Sequence, residues 1–221
     1  SLAVAAIFTG LTGLLAQTLP AATATGTPPI NPQALRIDPQ FSPHLLLGNP
    51  SKATADTRDK NNFLMSKTYY ALAYDNEAGV PLWVSWQLTK DDLGTAPRKR
   101  TFDEDTSLPA DFSHILTRDY TNSGYDRGHL CPHSDRARDL NMSYSTFCMT
   151  NIIPQAPALN QKAWNMLEGY LRDCVAADDL HLYIIAGPVY RGGWGSKGFN
   201  TTIADGRVVV PGMCWKIALF V

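Results

Sequence analysis

The residues best suited to chemistry are Asp126-Arg127-Gly128-His129 and a set that follows them: Asn151, Pro154-Gln155, Asn160-Gln161, Trp164, Glu168 and Arg172. Histidine titrates near neutrality, so His129 is suited to take a proton from water. The planar guanidinium fork matches phosphate oxygens. Arg127 is therefore a candidate clamp, joined by Arg100 from the basic run Arg98-Lys99-Arg100, where either neighbour could take its place. Magnesium prefers oxygen donors, keeps several waters and commonly takes one or two protein groups, which suits Asn160 as ligand. Glu168 is then placed to hold metal-bound waters by hydrogen bonds. A base, a cation site and guanidiniums are the parts of a metal-assisted attack of water on a phosphate ester.

Each residue also has a plainer reading. A lone histidine is usually satisfied or exposed, and His44, His114, His133 and His181 keep that reading. Asn160 stands just before an apolar helical run and fits a helix N-cap. Glu168 and Arg172 are spaced as an i,i+4 ion pair, which would also hold Glu168 in place. Asp126 is read as organising a turn, and Asn151 as supporting the site by polar contacts near the histidine. Gly128 leaves room for a phosphate backbone to approach. Cys131, His133 and Cys148 suggest zinc, or Cys131 a thiol nucleophile, but no C-x-x-C pair is present and a buried thiol or a disulfide is preferred for Cys131.

The elements that must position these groups are legible from pattern. Residues 69–74 and 82–88 read as strands joined by the loop Asp75-Asn76-Glu77-Ala78-Gly79. In the second, Leu82, Val84 and Trp86 alternate with Trp83, Ser85 and Gln87, as in a strand covered on at least one face. Residues 89–124 are polar and irregular. A short strand leads through Tyr125 into His129, and the apolar run from Phe147 to Ile153 stops at Pro154. Residues 161–176 read as a helix, with Glu168 about 2.2 turns beyond Asn160 on a neighbouring part of the same face. Residues 181–186 and 208–221 read as strands separated by the glycine-rich loop Gly192-Gly193-Trp194-Gly195. The order is mainly β with an inserted helix and no internal repeat, which favours α+β over a parallel α/β sheet.

D-R-G-H followed by N-x-x-P-Q, N-Q-x-x-W and L-E on a helix resembles the DNA/RNA non-specific endonuclease family. The resemblance runs from about His44 to the C-terminus and includes the Trp83/Trp86 strand and Ile184-Ile185-Ala186-Gly187-Pro188. It implies an α+β fold with a mixed, mainly antiparallel central sheet and a ββα-metal active-site motif with flanking helices. It implies magnesium on Asn160, with manganese as a substitute, and DNA and RNA as substrates cut to 5′-phosphate and 3′-hydroxyl ends. It also implies a supporting role in catalysis for Arg127, Asn151, Glu168 and Arg172, with Arg100, Arg127 and Arg172 contacting substrate.

Composition sets limits on this reading. The chain has 221 residues, 44% hydrophobic and 18% charged, enough for one domain with a sizeable core. Its net charge is −1, so nucleic-acid binding must rest on a local cluster of cations. A catalytically silent nucleic-acid- or partner-binding module on the same fold is the alternative, and the intact set of His129, Arg127, Asn160 and Glu168 weighs against it. Residues 1–24 carry no charge and are read as the remnant of an export signal ending near Ala22-Thr23-Ala24, residues 25–43 as a proline-rich linker and 44–221 as the catalytic domain. The expected location is secreted or periplasmic, without stable membrane association. The four cysteines could form two disulfides in any of three pairings. The strand-like run at the C-terminus is expected to continue past residue 221.

Overall fold

The computed structural model describes residues 3–9, as backbone, and residues 42–221. Residues 1–2 and 10–41, where most of the export signal and of the proline-rich linker are expected, lie outside the described residues. The frame is a six-stranded antiparallel sheet. Its strands are β1 (Ala3–Thr9), β2 (Phe63–Ser66), β3 (Ala71–Asp75), β4 (Val80–Leu88), β7 (Leu182–Arg191) and β12 (Pro211–Phe220). They lie in the order β1-β12-β7-β4-β3-β2.

The predicted turn between β3 and β4 forms because Asp75 Oδ1 accepts from the backbone N–H of Glu77 and Ala78, both at 3.0 Å, and Gly79 takes φ 65°. Along β4, Val84, Trp86 and Leu88 turn to the main core while Trp83 is buried on the opposite face. Both faces are thus covered. The second face is closed by the segment around Leu45 and Ala53, with the Trp83 indole N–H donating to Ser51 Oγ at 2.8 Å.

A ribbon and a helix lie on the main core face. The ribbon pairs β5 (Asp126–His129) with β6 (Ile152–Gln155), so that His129 faces Ile152 in register. Between them come the short helix α1 (Leu140–Ser145) and a 3-10 turn at Met149–Asn151. After β6 the chain enters a π-helical stretch, Leu159–Trp164, that continues as α2 (Asn165–Asp178). Trp164, Leu171 and Val175 pack into one cluster with Trp86, Leu182 and Ile184 from the sheet. Trp86 and Trp164 are both essentially sealed from solvent. Burying such a side chain removes roughly 150–250 Å² from water, about 4–6 kcal/mol of transfer free energy before the cost of ordering it.

Three expectations need correction. Pro154 does not end the apolar run but lies inside β6 opposite Arg127. A two-stranded ribbon tolerates it, because a proline nitrogen can face away from the ladder. The glycine-rich loop is itself a hairpin, β8 (Gly193–Gly195) with β9 (Gly198–Asn200), held to Tyr125, whose hydroxyl donates to Gly193 O at 2.7 Å. The final run is broken into β11 (Val208–Val209), which pairs with β10 (Thr202–Ile203), and β12.

Candidate active site

A cavity of about 350 Å³ opens between the end of β5 and the first turns of the helix, lined by Arg98, His129, Pro132, His133, Ser134, Asn160, Gln161, Asn165, Glu168 and Arg172. The structure brings four of the sequence-predicted residues into it, His129, Asn160, Glu168 and Arg172. It leaves Arg127, Asn151 and Arg100 outside its lining.

His129 ends β5 and is buried, with its ring between Phe102 at 5.3 Å and Phe147 at 4.8 Å. Its Nε2 is buried with no hydrogen-bond partner. Burial first, and then the charge of Arg98 and the neighbouring His133, bring its pKa down to about 3. The imidazole is neutral at pH 7, with a nitrogen lone pair available. His133, kept above as background, lines the same cavity and is also held low, by burial and then by Arg98 and Arg172. Four positions separate it from His129, which was the signal available in the sequence.

Asn160 does not cap the helix. It lies inside the π-helical stretch, and its backbone N–H donates to Ala156 O at 2.9 Å. Its amide donates from Nδ2 to Asp126 Oδ2 at 2.9 Å, and Gln161 Nε2 donates to the same oxygen at 2.8 Å. A carboxylate can only accept, so this bond fixes the amide orientation and leaves Oδ1 as the acceptor for a ligand. Asp126 therefore orients the candidate metal ligand. The π geometry also matters for Glu168. A π-helical turn accommodates an extra residue, so the eight steps from Asn160 to Glu168 count as about seven, or about 1.9 turns. Both side chains then reach one cavity.

The predicted Glu168–Arg172 pair is not formed. Arg172 Nη1 donates to Asp135 Oδ1 at 2.9 Å, and Asp135 Oδ2 accepts from the indole of Trp86 at 3.0 Å. Glu168 Oε1 accepts instead from Lys216 Nζ at 2.8 Å, in a pair that is nearly fully buried. Burial raises the Glu168 pKa, Lys216 pulls it back down, and Asp135 pushes it up.

Asn151 is fully buried away from the cavity. Its Oδ1 accepts from Cys131 N at 3.0 Å, and its Nδ2 donates to Cys131 O and Thr146 O, both at 2.8 Å. It clamps the chain leaving His129 to the chain entering β6, and so acts on the site through the backbone. Arg127 donates from Nε and Nη2 to Thr117 O at 3.2 and 2.6 Å, and its guanidinium lies 5.8 Å from the Phe102 ring centre. It shares Phe102 with His129, two residues on along the same strand face.

Within the basic run, Arg98 and not Arg100 lines the cavity. Lys99 is paired with Asp103, and Arg100 makes no ion pair among the described residues. Gly128 does not clear a path for phosphate. A Cβ there would meet Gln155 Cγ at 2.5 Å and Oε1 at 2.1 Å, so the glycine makes space for a buried glutamine.

All four cysteines are free thiols. Burial pushes Cys214 up to about 12 and Cys131 further, so neither is a nucleophile at neutral pH. Among the described residues no group of three or more His, Cys, Asp or Glu could hold a metal, which removes the zinc cluster. The cavity fits a harder ion. Asn160 brings an amide oxygen that could hold such an ion and Glu168 a carboxylate that could accept from its waters, beside the ring nitrogens of His129 and His133.

Comparison with known proteins identifies the family. The DNA/RNA non-specific endonuclease family matches residues 49–221. A nuclease of Nostoc sp. is 39% identical over 213 residues, which is 95% of this chain and 74% of that protein. Human mitochondrial endonuclease G is 35% identical over 149 residues, 66% of this chain and 47% of that protein. The chain thus spans about half the length of that mitochondrial relative. A chain in the crystal structure of the EndoG/EndoGI complex superposes with a TM-score of 0.60 at 26% identity, covering 75% of this chain and 74% of that one. The chain is therefore a member of the DNA/RNA non-specific endonuclease family, a nuclease built on the ββα unit that carries the cavity.

Proposed function

We propose that the chain hydrolyses phosphodiester bonds in both DNA and RNA with a divalent cation, magnesium by preference and manganese as a substitute. The observation that carries this reading is the meeting of a neutral, buried His129 with Asn160 and Glu168 around one polar cavity. Asn160 Oδ1 would hold the ion and Glu168 would hold its waters. When bound, the ion supplies Lewis-acid stabilisation of the charge that develops on the phosphate and on the leaving 3′ oxygen. The residues do the rest. Arg98 and Arg172 draw the phosphate into the cavity and orient its free oxygens. His129 takes the proton of the attacking water, opposite the leaving group, which gives 5′-phosphate and 3′-hydroxyl ends. Phe102 and Phe147 hold the ring still and keep bulk water from it.

Incubation with plasmid DNA and with RNA, with and without EDTA, tests this reading alongside His129→Ala. Cutting of both substrates is expected, with loss of cutting in EDTA. His129→Ala should lower the rate on the order of 10²–10⁴-fold while the fold persists by circular dichroism. Metal-independent cutting, or an undiminished variant, overturns it. The uncharged residues 1–24 support export, and cleavage near Ala24 would remove β1 and leave β12 as the edge strand, which N-terminal sequencing of protein recovered outside the producing cell tests.

A further inference from the structure

Lys216 is a charge in the middle of the apolar strand β12, and it is 1% exposed. Its Nζ donates to Glu168 Oε1 at 2.8 Å and lies over two indoles, 4.4 Å from the ring centre of Trp164 and 5.2 Å from that of Trp86. Fold stability does not require such a pair, because a buried ion pair replaced by apolar side chains of similar volume is often neutral or stabilising. A role in the fold alone therefore accounts poorly for an ammonium sealed between two tryptophans.

Its geometry accounts for it better. Glu168 faces charge from three elements: Lys216 on β12, Asp135 in the 3-10 turn that follows β5, and Arg172 one turn along α2. Asp135 and Arg172 are bonded to each other, which leaves Lys216 as the cation that holds Glu168. Lys216 occupies Oε1, and no protein donor among the described residues occupies Oε2. The indoles fix the ammonium, the ammonium fixes one carboxylate oxygen, and the second remains for the cavity. We propose that Lys216 is a positioning residue, which holds Glu168 oriented so that its second oxygen would accept from the waters of a bound divalent cation. This rests on the role of Glu168 given above.

The test compares wild type, Lys216→Met, Glu168→Gln and the double variant. Magnesium binding is measured by calorimetry, and kcat, KM and the magnesium concentration for half-maximal cutting are measured on plasmid DNA. Lys216→Met should weaken magnesium binding and lower kcat by about 10–100-fold, with KM for DNA nearly unchanged. A purely structural role would reduce the amount of active enzyme without moving the magnesium dependence. In the Glu168→Gln background Lys216→Met should add no more than about a twofold loss, since charge and partner are removed together. That comparison is readable even if Lys216→Met alone fails to fold, because the double variant leaves no unpaired buried charge and the amide oxygen of Glu168→Gln can still accept from the Lys216 ammonium. Unchanged magnesium binding in folded Lys216→Met, or losses that multiply in the double variant, overturns the proposal. A Glu168→Gln enzyme with wild-type rates overturns it by another route, removing the role assigned to Glu168. Failure of the wild type to need magnesium would instead strike the proposed function itself.

Discussion

A pKa of about 3 leaves His129 a weak base, and that weakness comes from burial and from Arg98. A phosphodiester entering the cavity supplies a negative charge beside both groups, so the imidazole strengthens as the substrate arrives. The acid limb of kcat/KM, which reports the free enzyme, should therefore lie below 6.5, while the limb of kcat lies higher. Glu168, raised by burial, also acts without a proton, so the profile of Glu168→Gln isolates the limb that belongs to His129. Arg98→Ala should move His129 upward by removing a neighbouring cation, and rate profiles on a short oligonucleotide would show it. A kcat/KM limb at or above 6.5 in Glu168→Gln contradicts this account. Arg98→Ala should also raise KM about 10- to 100-fold, the equivalent of 1.5–3 kcal/mol for a charged hydrogen bond, and Arg100→Ala should change it by less than about threefold. The sequence pointed to Arg100, with Arg98 or Lys99 as substitutes, and could not choose Arg98 among them. That choice depends on the path of an irregular loop, where no periodicity assigns a face.

The helix that carries Asn160 and Glu168 works because it begins with a widened turn. Removing one residue there, such as the exposed Lys162, should convert the π-helical stretch to α-helix and turn Asn160 by about 100° away from Glu168. The expected result is a folded protein by circular dichroism with cutting reduced to the level of an Asn160 knockout. Retained activity would show that the register of this turn is not needed. Gly128→Ala should destabilise by about 1–3 kcal/mol, measured by chemical denaturation, because Gln155 fills the place of the missing side chain. The strands, the hairpin at Asp75–Gly79 and the helix were readable from hydrophobic periodicity. The π turn was not, since it changes the phase of the helix without changing its composition. The partner of Glu168 was also missed. Spacing on one helix pointed to Arg172, while the actual partner lies on β12 and is set by long-range packing. The visible signal was a lone lysine within an apolar run.

For the whole molecule, a net charge of −1 leaves nucleic-acid binding to local cations, and the cavity supplies two of them, Arg98 and Arg172. Its stability should depend on pH through buried imidazoles. His44 donates from Nε2 to Thr68 O at 3.2 Å and accepts at Nδ1 from Gln87 N–H at 3.3 Å, a pattern only the neutral ring can make, and burial brings its pKa down to about 4. Its folded pKa lies below the unfolded value near 6.5, so the stability it contributes is present above 6.5. That stability is lost as pH falls toward 4, at about 1.4 kcal/mol per unit. His129 acts in the same sense and Glu168, raised by burial, in the opposite one. The thermal midpoint should fall below pH 6.5, and His44→Gln should reduce the slope. No covalent cross-link ties these elements together, because all four cysteines are thiols. The four thiols predict that the domain refolds in the presence of a reductant as well as without one. Overproduction of the wild type in a reducing compartment should therefore harm a host that tolerates His129→Ala.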